Sequence, residues 1–408
     1  MMRILLVDDE PLVVGALQRM LSRLRPDSRV AAVTSGRAAL NLLEVEPFDL
    51  VITDLDLPEM DGFAILERVR DRHPQVTRLI LSGCEDPAVR LRTVTVAHRY
   101  LAKPCEIRDL LEALEHVEDV RRFGFDAEIA AAVGATDALP AAPPLYAALT
   151  RALTRPETST HEVARIIATD DAMATRVLQV VNSAFFGLPQ EVSSITQAVA
   201  FLGLQALKSL VLSVEAFRVF RSSGECAGFS LDAHKVHVLL TARIASRIVA
   251  KPDREEAFTA GLLHDVGKLV LASRLQVRYA PVLTIAREER RPLHAVEREL
   301  LGLTHGDAGA ALLRLWGLPS VACEAAQLHH APAALLRVWS IGPAVHVANA
   351  LAYEAAASAG LLGGDVPFDP PDDKLIASTG VGGLLEHYRS IALQEASRVA
   401  SAGDLAPI

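Results

Sequence analysis

Cysteine is scarce in this 408-residue chain: Cys84, Cys105, Cys226 and Cys323 lie far apart and form no C-x-x-C pair. That argues against a disulfide framework and a zinc knuckle, and it fits a reducing, cytoplasmic setting. Aromatic residues are few, at 5%, so the cores must be aliphatic. No apolar run reaches about 18 residues. The N-terminus enters a strand-like segment without a cationic region and cleavage site, so neither a membrane span nor a secretion signal is expected. Positive charge is not in excess either. Lys+Arg 41 against Asp+Glu 50 leaves −9, which lacks the electrostatic footprint of a general nucleic-acid binder. No convincing internal repeat is present. Hydrophobic residues at 50% and charged residues at 22% are ordinary globular values, excluding collagenous, disordered and coiled-coil classes for the bulk of the chain. The length implies two or three domains, each able to bury a core.

Up to about residue 120, short apolar runs alternate with amphipathic stretches. Ile4 to Val7, Arg29 to Val33, Leu50 to Thr53, Leu79 to Leu81 and Tyr100 to Ala102 read as buried strands. Pro11 to Leu24, Gly36 to Val45 and Glu106 to Val120 read as helices. Strands joined by helices of this length require crossovers, which gives a five-stranded parallel sheet covered on both faces, a doubly wound α/β domain. After it the strand signal stops. An Ala-rich stretch with Gly134, Pro140, Pro143 and Pro144 reads as a linker, and from Leu145 onward nearly everything has helical periodicity.

Acids gather at the predicted strand ends: Asp8-Asp9-Glu10 after the first strand and Asp54 after the third, with Ser82-Gly83 after the fourth and Lys103-Pro104 after the fifth. In an open parallel sheet those carboxyl ends converge on one edge, where ligands bind. Crowded carboxylates repel unless a hard cation joins them, and oxygen donors suit Mg²⁺. Flanked by cation and ammonium, a carboxylate can attack a phosphoryl group while a hydroxyl holds the phosphate oxygens. Asp56 is a rival acceptor, because a strand running past Leu55 would place it on the same side as Asp54.

This ordered set, with Asp54-x-x-x-Pro58-x-x-Asp61-Gly62, resembles the receiver domain of bacterial response regulators, over residues 2 to 120. The resemblance implies a flavodoxin-like fold, Asp54 as phosphoacceptor, and Asp8 and Asp9 with Asp54 as Mg²⁺ ligands. It further implies Ser82 as the switch hydroxyl, Tyr100 as the switch aromatic, Lys103 as the phosphate-contacting lysine, and a cis bond before Pro104. A cognate sensor histidine kinase is the implied phosphodonor.

The helical part carries His234, His237, His264-Asp265, His294, His305 and His329-His330. Neutral imidazoles with a carboxylate suit Fe, Mn, Zn or Ni, and could activate water for phosphoester hydrolysis. A single helical histidine is more often packing than ligand, which is the expectation for His237 and His294. The pair His264-Asp265 with upstream His234 resembles the HD superfamily of metal-dependent phosphohydrolases. More particular are Val181-Asn182-Ser183-Ala184-Phe185-Phe186-Gly187, Ala198 to Gly203, Gly261 to Lys268, Trp316-Gly317-Leu318-Pro319 and His329-His330. Together these resemble the HDOD domain, an HD-related signalling output module, and mark Asn182, Ser183, Gly187 and Gly203 as signature positions. For Asn182 and Ser183 the expected role is the capping of backbone groups at a helix end, with a ligand or partner contact as the rival.

The expected organisation is a receiver over 1–122, a linker over 123–137, an HDOD helical bundle over 138–340 and a C-terminal helical extension over 341–408 packing on it. A residual metal site of His234, His264, Asp265, His305 and His330 stays open, although the late aspartate of catalytic HD proteins is replaced by Asn349 and no Gly-Tyr-Pro follows His330. The expected output is therefore binding of a protein or nucleotide ligand, with a receiver-controlled metal-dependent phosphohydrolase as the alternative. No basic recognition helix supports direct DNA binding. A homodimer is left open.

Overall fold

The computed structural model describes residues 2–73, 76–83, 96–97, 99–103, 105, 110–111, 114, 145, 148–149, 152, 159–182, 192–222, 226–316, 318–331, 334, 338–361 and 368–401. Two compact units are distinguished, residues 1–144 with 314–317 and residues 145–313 with 318–408. In the first, β1 (Met2–Val7), β2 (Ser28–Val33), β3 (Leu50–Thr53), β4 (Thr77–Ser82) and β5 (Arg99–Ala102) form one sheet in the order β2-β1-β3-β4-β5. Every pairing is parallel. The strand period of two creates two cores. Leu5, Val7, Val51 and Ile80 pack with Ala39 and Leu43 of α2 (Gly36–Val45) and with Ile65, Leu66 and Val69 of α3 (Gly62–Arg72). Ile4, Leu6, Leu50, Ile52, Leu79 and Leu81 face the other way, onto Val14 and Leu21 of α1 (Pro11–Leu24) and onto Leu110 and Leu114. A one-residue slip would exchange those two sets and bring each side chain against the wrong helices.

Helix starts follow local chemistry. Ser35 accepts from the Ala38 amide and Asp61 from the Ala64 amide, while α1 begins on Pro11, whose missing N–H costs nothing at that position. Of the helix expected over Glu106 to Val120, only residues 110, 111 and 114 are described, all helical. The expected linker 123–137 lies outside the described residues.

The second unit is helical: α4 (Thr160–Ile167), α5 (Asp171–Asn182), α6 (Ile195–Leu202), α7 (Leu204–Ser222), α8 (Leu231–Ile248), α9 (Arg254–Leu263), α10 (Val266–Arg274), α11 (Gln276–Glu288), α12 (Leu293–Leu301), α13 (His305–Leu315), α14 (Ser320–Leu328), α15 (Ile341–Ser358), α16 (Asp373–Thr379) and α17 (Leu385–Ser401). Helix α8 is its axis, buried without a break from His234 to Ala242 and packed on α9, α15 and α17. The buried Glu395 fixes α17 there by pairing with Arg243 and Arg247 of α8. Two glycines allow helices to touch. A Cβ on Gly261 would strike the Ala242 backbone of α8, and one on Gly267 would strike the His305 carbonyl, so α9 and α10 can carry His264-Asp265 into the middle of the bundle. Helix α15 is a central element, with Asn349 on its inner face. Among the described residues no single helix is long and apolar enough to cross a membrane.

Candidate functional site

In the first unit the strand ends meet as a parallel sheet requires. Asp8 follows β1, Asp54 follows β3, Ser82 closes β4 and Lys103 follows β5. The Lys103 ammonium lies 2.6 Å from Asp8 Oδ2 and 2.5 Å from Asp54 Oδ2. The other Asp54 oxygen accepts from the Leu55 amide at 2.6 Å and the Asp56 amide at 3.3 Å, which fixes the carboxylate plane. Burial opposes the charge on Lys103, but its bonds to Asp54 and Asp8 outweigh that, and its pKa is raised. Asp8, Asp54 and Ser82 are buried, and Asp9 is exposed beside Asp8. Strand β3 stops at Thr53, and Asp56 is exposed beyond it. Tyr100 lies in β5, where its backbone pairs with Ile80; its side chain and Pro104 lie outside the described residues. The oxygen donors of Asp8, Asp9 and Asp54 suit Mg²⁺, a hard cation, and only one ammonium faces the Asp8 and Asp54 carboxylates.

The second unit is organised around Asp265, which is fully buried at the α9–α10 junction. Lys268, one turn on, donates to its Oδ2 at 2.6 Å. His264 Nε2 stands 3.4 Å and His237 Nε2 3.5 Å from the same oxygen, while His305 and His329 present Nε2 to Oδ1 at 3.2 and 3.4 Å. Outer hydrogen bonds set the tautomers. His264 Nδ1 donates to the Gly261 carbonyl and His329 Nδ1 to the Ala326 carbonyl, each at 2.7 Å, which leaves their Nε2 lone pairs turned inward. His305 Nδ1 donates to Glu297 Oε2 at 2.6 Å, and Tyr279 donates to the other Glu297 oxygen at 2.7 Å. Asn349 Oδ1 accepts from His237 at 2.8 Å and lies 3.3 Å from His264 Nε2. The His264 lone pair thus faces two oxygens, and Asp265 Oδ1 has no hydrogen-bond partner. A cation among these atoms would relieve both contacts, so the donor set fits a transition metal.

His234, expected from the sequence among these ligands, is not part of the set. It lies against the rings of Phe217 and Phe229, and His237, one turn further along α8, stacks on Tyr353 and reaches Asp265. His330 turns its Nδ1 away, to Asp369 at 3.2 Å. Among the signature positions, Asn182 bonds both the N–H and the carbonyl of Val192, at 2.7 and 2.8 Å. Gly203 ends α6 at a φ of 80°, which only glycine adopts readily. Ser183 and Gly187 lie outside the described residues.

Comparison with known families bears on both units. Residues 4–115 match the response regulator receiver domain and residues 139–332 the HDOD domain. The chain pairs a receiver domain with an HDOD domain. Transcriptional regulatory protein QseB of Haemophilus influenzae is 33% identical over 125 residues, covering 30% of this chain and 55% of that protein. An HDOD domain protein of unknown function from Geobacter sulfurreducens aligns over 70% of this chain and 92% of its own, at 24% identity and a TM-score of 0.49. The signal receiver domain of an HD domain-containing protein from Pseudomonas fluorescens aligns over 30% of this chain and 92% of its own, at 34% identity and a TM-score of 0.28. The chain spans between 18% and 55% of the length of the first curated relatives it matches.

Within the HDOD domain, burial keeps the imidazoles neutral. It lowers the pKa values of His237 and His264 and pushes His329 down to about 3. Burial also opposes charge on Asp265, yet the Lys268 ammonium beside it outweighs that and holds the carboxyl well below its usual range. His305 differs: burial works against its charge, Glu297 and Asp265 more than offset that, and its pKa is raised. Sequence spacing missed Glu297 and Tyr279, which act from α12 and α11. Tyr353 stands four residues after Asn349 and Lys268 three after Asp265, helical offsets that could have indicated both.

His234 generates a pH dependence. Burial holds its folded-state pKa near 3, below the ordinary 6.5, so its contribution is complete above pH 6.5 and is lost as the pH falls towards 3. The linkage slope is about 1.4 kcal/mol per pH unit for one such group. Urea unfolding followed by tryptophan fluorescence, from Trp316 and from Trp339 stacked on Tyr388, should show the wild type losing about 2 kcal/mol more between pH 7 and pH 5 than His234→Phe. Parallel pH curves for the two proteins would contradict a neutral, buried His234.

Proposed function

We propose that this protein is a phosphorylation-controlled response regulator: Asp54 accepts a phosphoryl group from a sensor histidine kinase, and the modification governs an HDOD module that works by binding a protein or nucleotide ligand. The observation that carries the first half is Lys103 held between Asp8 and Asp54 at the carboxyl edge of the sheet. An Asp54 oxygen forms the new O–P bond as the donor's N–P bond breaks, and the Lys103 ammonium stands where it can meet charge on the phosphoryl oxygens. Asp8, Asp9 and Asp54 would hold Mg²⁺, which when bound supplies further positive charge to those oxygens. Ser82, Tyr100 and Lys103 are the proposed readers of the modified state, through a shift in population between two receiver conformations. Incubation with acetyl phosphate and Mg²⁺ should phosphorylate the wild type and not Asp54→Asn, read by intact mass. Labelling of the Asn variant at Asp56 would overturn the assignment.

For the HDOD module, charge balance supports binding over hydrolysis. Asp265 is matched by Lys268 and Glu297 by His305, and the amide of Asn349 adds no negative charge. A hydrolytic metal needs a charged ligand set that holds it and lowers the pKa of its water. The phosphohydrolase reading rests on a specific feature, the inward Nε2 lone pairs of His264 and His329 beside an unpartnered Asp265 oxygen. Cyclic dinucleotides, nucleoside triphosphates and generic phosphodiesters, assayed with Mn²⁺, Fe²⁺ or Ni²⁺, should give the same background with wild type, His264→Ala and Asp265→Ala. Turnover by the wild type that either substitution abolishes in a folded protein would establish the phosphohydrolase instead.

A further inference from the structure

A second group of metal-binding side chains lies outside the His-Asp junction, on three elements of the HDOD-bearing unit. His294 is the second residue of α12, His330 follows the end of α14, and Asp369 precedes α16. We propose that His294, His330 and Asp369 form an outer divalent-metal site of zinc-binding character, separate from the buried set around Asp265.

The geometry fits. His294 Nδ1 lies 3.3 Å and His330 Nδ1 3.2 Å from the same oxygen, Asp369 Oδ2. Zinc bonds of about 2.0–2.2 Å in a tetrahedron place neighbouring ligand atoms about 3.3–3.5 Å apart. The two rings stack with centroids 4.3 Å apart and planes 16° from parallel, each with its Nδ1 beside the same Asp369 oxygen; a shared ion, which must lie in the plane of both rings, would turn one of them out of the stack. Hydrogen bonding does not account for the whole arrangement. His294 Nδ1 is buried and has no hydrogen-bond partner, although a carboxylate oxygen is close by. An unmet buried polar atom of that kind is costly, and a cation shared by the three atoms would satisfy it. Burial lowers the pKa of both imidazoles, which keeps them in the neutral form that ligates metals.

Access separates this group from the inner one. Side chains of His294, His330 and Asp369 are 24%, 17% and 31% exposed, whereas those of His264, Asp265, His305 and His329 are 0% exposed. Three protein ligands with partial exposure leave a fourth position for water or a ligand atom. His330 belongs to both candidate sets, so occupation of the outer site through its Nδ1 would bind that ring to Asp369 and alter what it offers to His305 and His329. The bound cation would also tie the segment before α16 to α12.

The test uses untagged full-length protein in excess Mg²⁺, titrated calorimetrically with Zn²⁺ and spectroscopically with Co²⁺, whose visible absorption reports tetrahedral coordination. Wild type should bind and show the tetrahedral spectrum. His294→Gln and Asp369→Asn, confirmed as folded by unfolding in chelator, should each lose at least about tenfold in affinity and lose the spectrum, while His237→Gln keeps both. No uptake by the wild type, undiminished affinity in the His294 and Asp369 variants, or loss confined to His237→Gln would each overturn the outer site.

Discussion

A carboxylate removed from water must be met by positive charge, and both units of this protein are arranged around that requirement. In the HDOD domain Asp265 is fully buried, and Lys268 answers it from one helical turn away. Glu297 is buried as well and is answered by His305, which the same acid holds in register for Asp265. The close approaches at Gly261 and Gly267 bring these pairs together. The receiver domain meets the requirement only in part: one ammonium, Lys103, faces Asp8 and Asp54, with Asp9 alongside.

That difference in balance carries the functional reading. A cluster left negative attracts a hard cation and then an anionic phosphoryl group, and its lysine stands ready for the product. A cluster already neutral has less to gain from a divalent ion and less field with which to acidify water. Under the proposed function the two sites do different work: phosphoryl acceptance in one, and a polar scaffold for a binding module in the other. The outer group of His294, His330 and Asp369 adds a place where the HDOD-bearing unit could respond to metal without exposing its core.

The fold was legible because its signals are local. The alternation of Ile4 and Leu6 with Leu5 and Val7 specified a strand buried on both faces, and parallel connectivity then brought Asp8, Asp54, Ser82 and Lys103 to one edge. The histidine cluster was only partly legible. His264-Asp265 stood out between apolar runs, but His234 and His237 lie three residues apart on one helix and both are buried. Which of them meets Asp265 depends on where Tyr353 and Phe229 pack, and that is tertiary information. Glu297 gave no signal, since its role arises from the turn at Gly302 that folds α12 back against His305. His294 and Asp369 are 75 positions apart in the sequence, and no spacing rule connects them.

The dependence of the HDOD domain on its buried charge pair is measured most directly by a double-substitution cycle in the full-length chain, with Asp265→Asn, Lys268→Met and the double variant unfolded in urea under tryptophan fluorescence. Each single substitution leaves the other group buried without its partner and should cost about 3–5 kcal/mol. The double variant should cost less than their sum by at least about 2 kcal/mol. Additivity of the two within about 0.5 kcal/mol would contradict the claim that Asp265 and Lys268 hold the centre of the bundle as a pair.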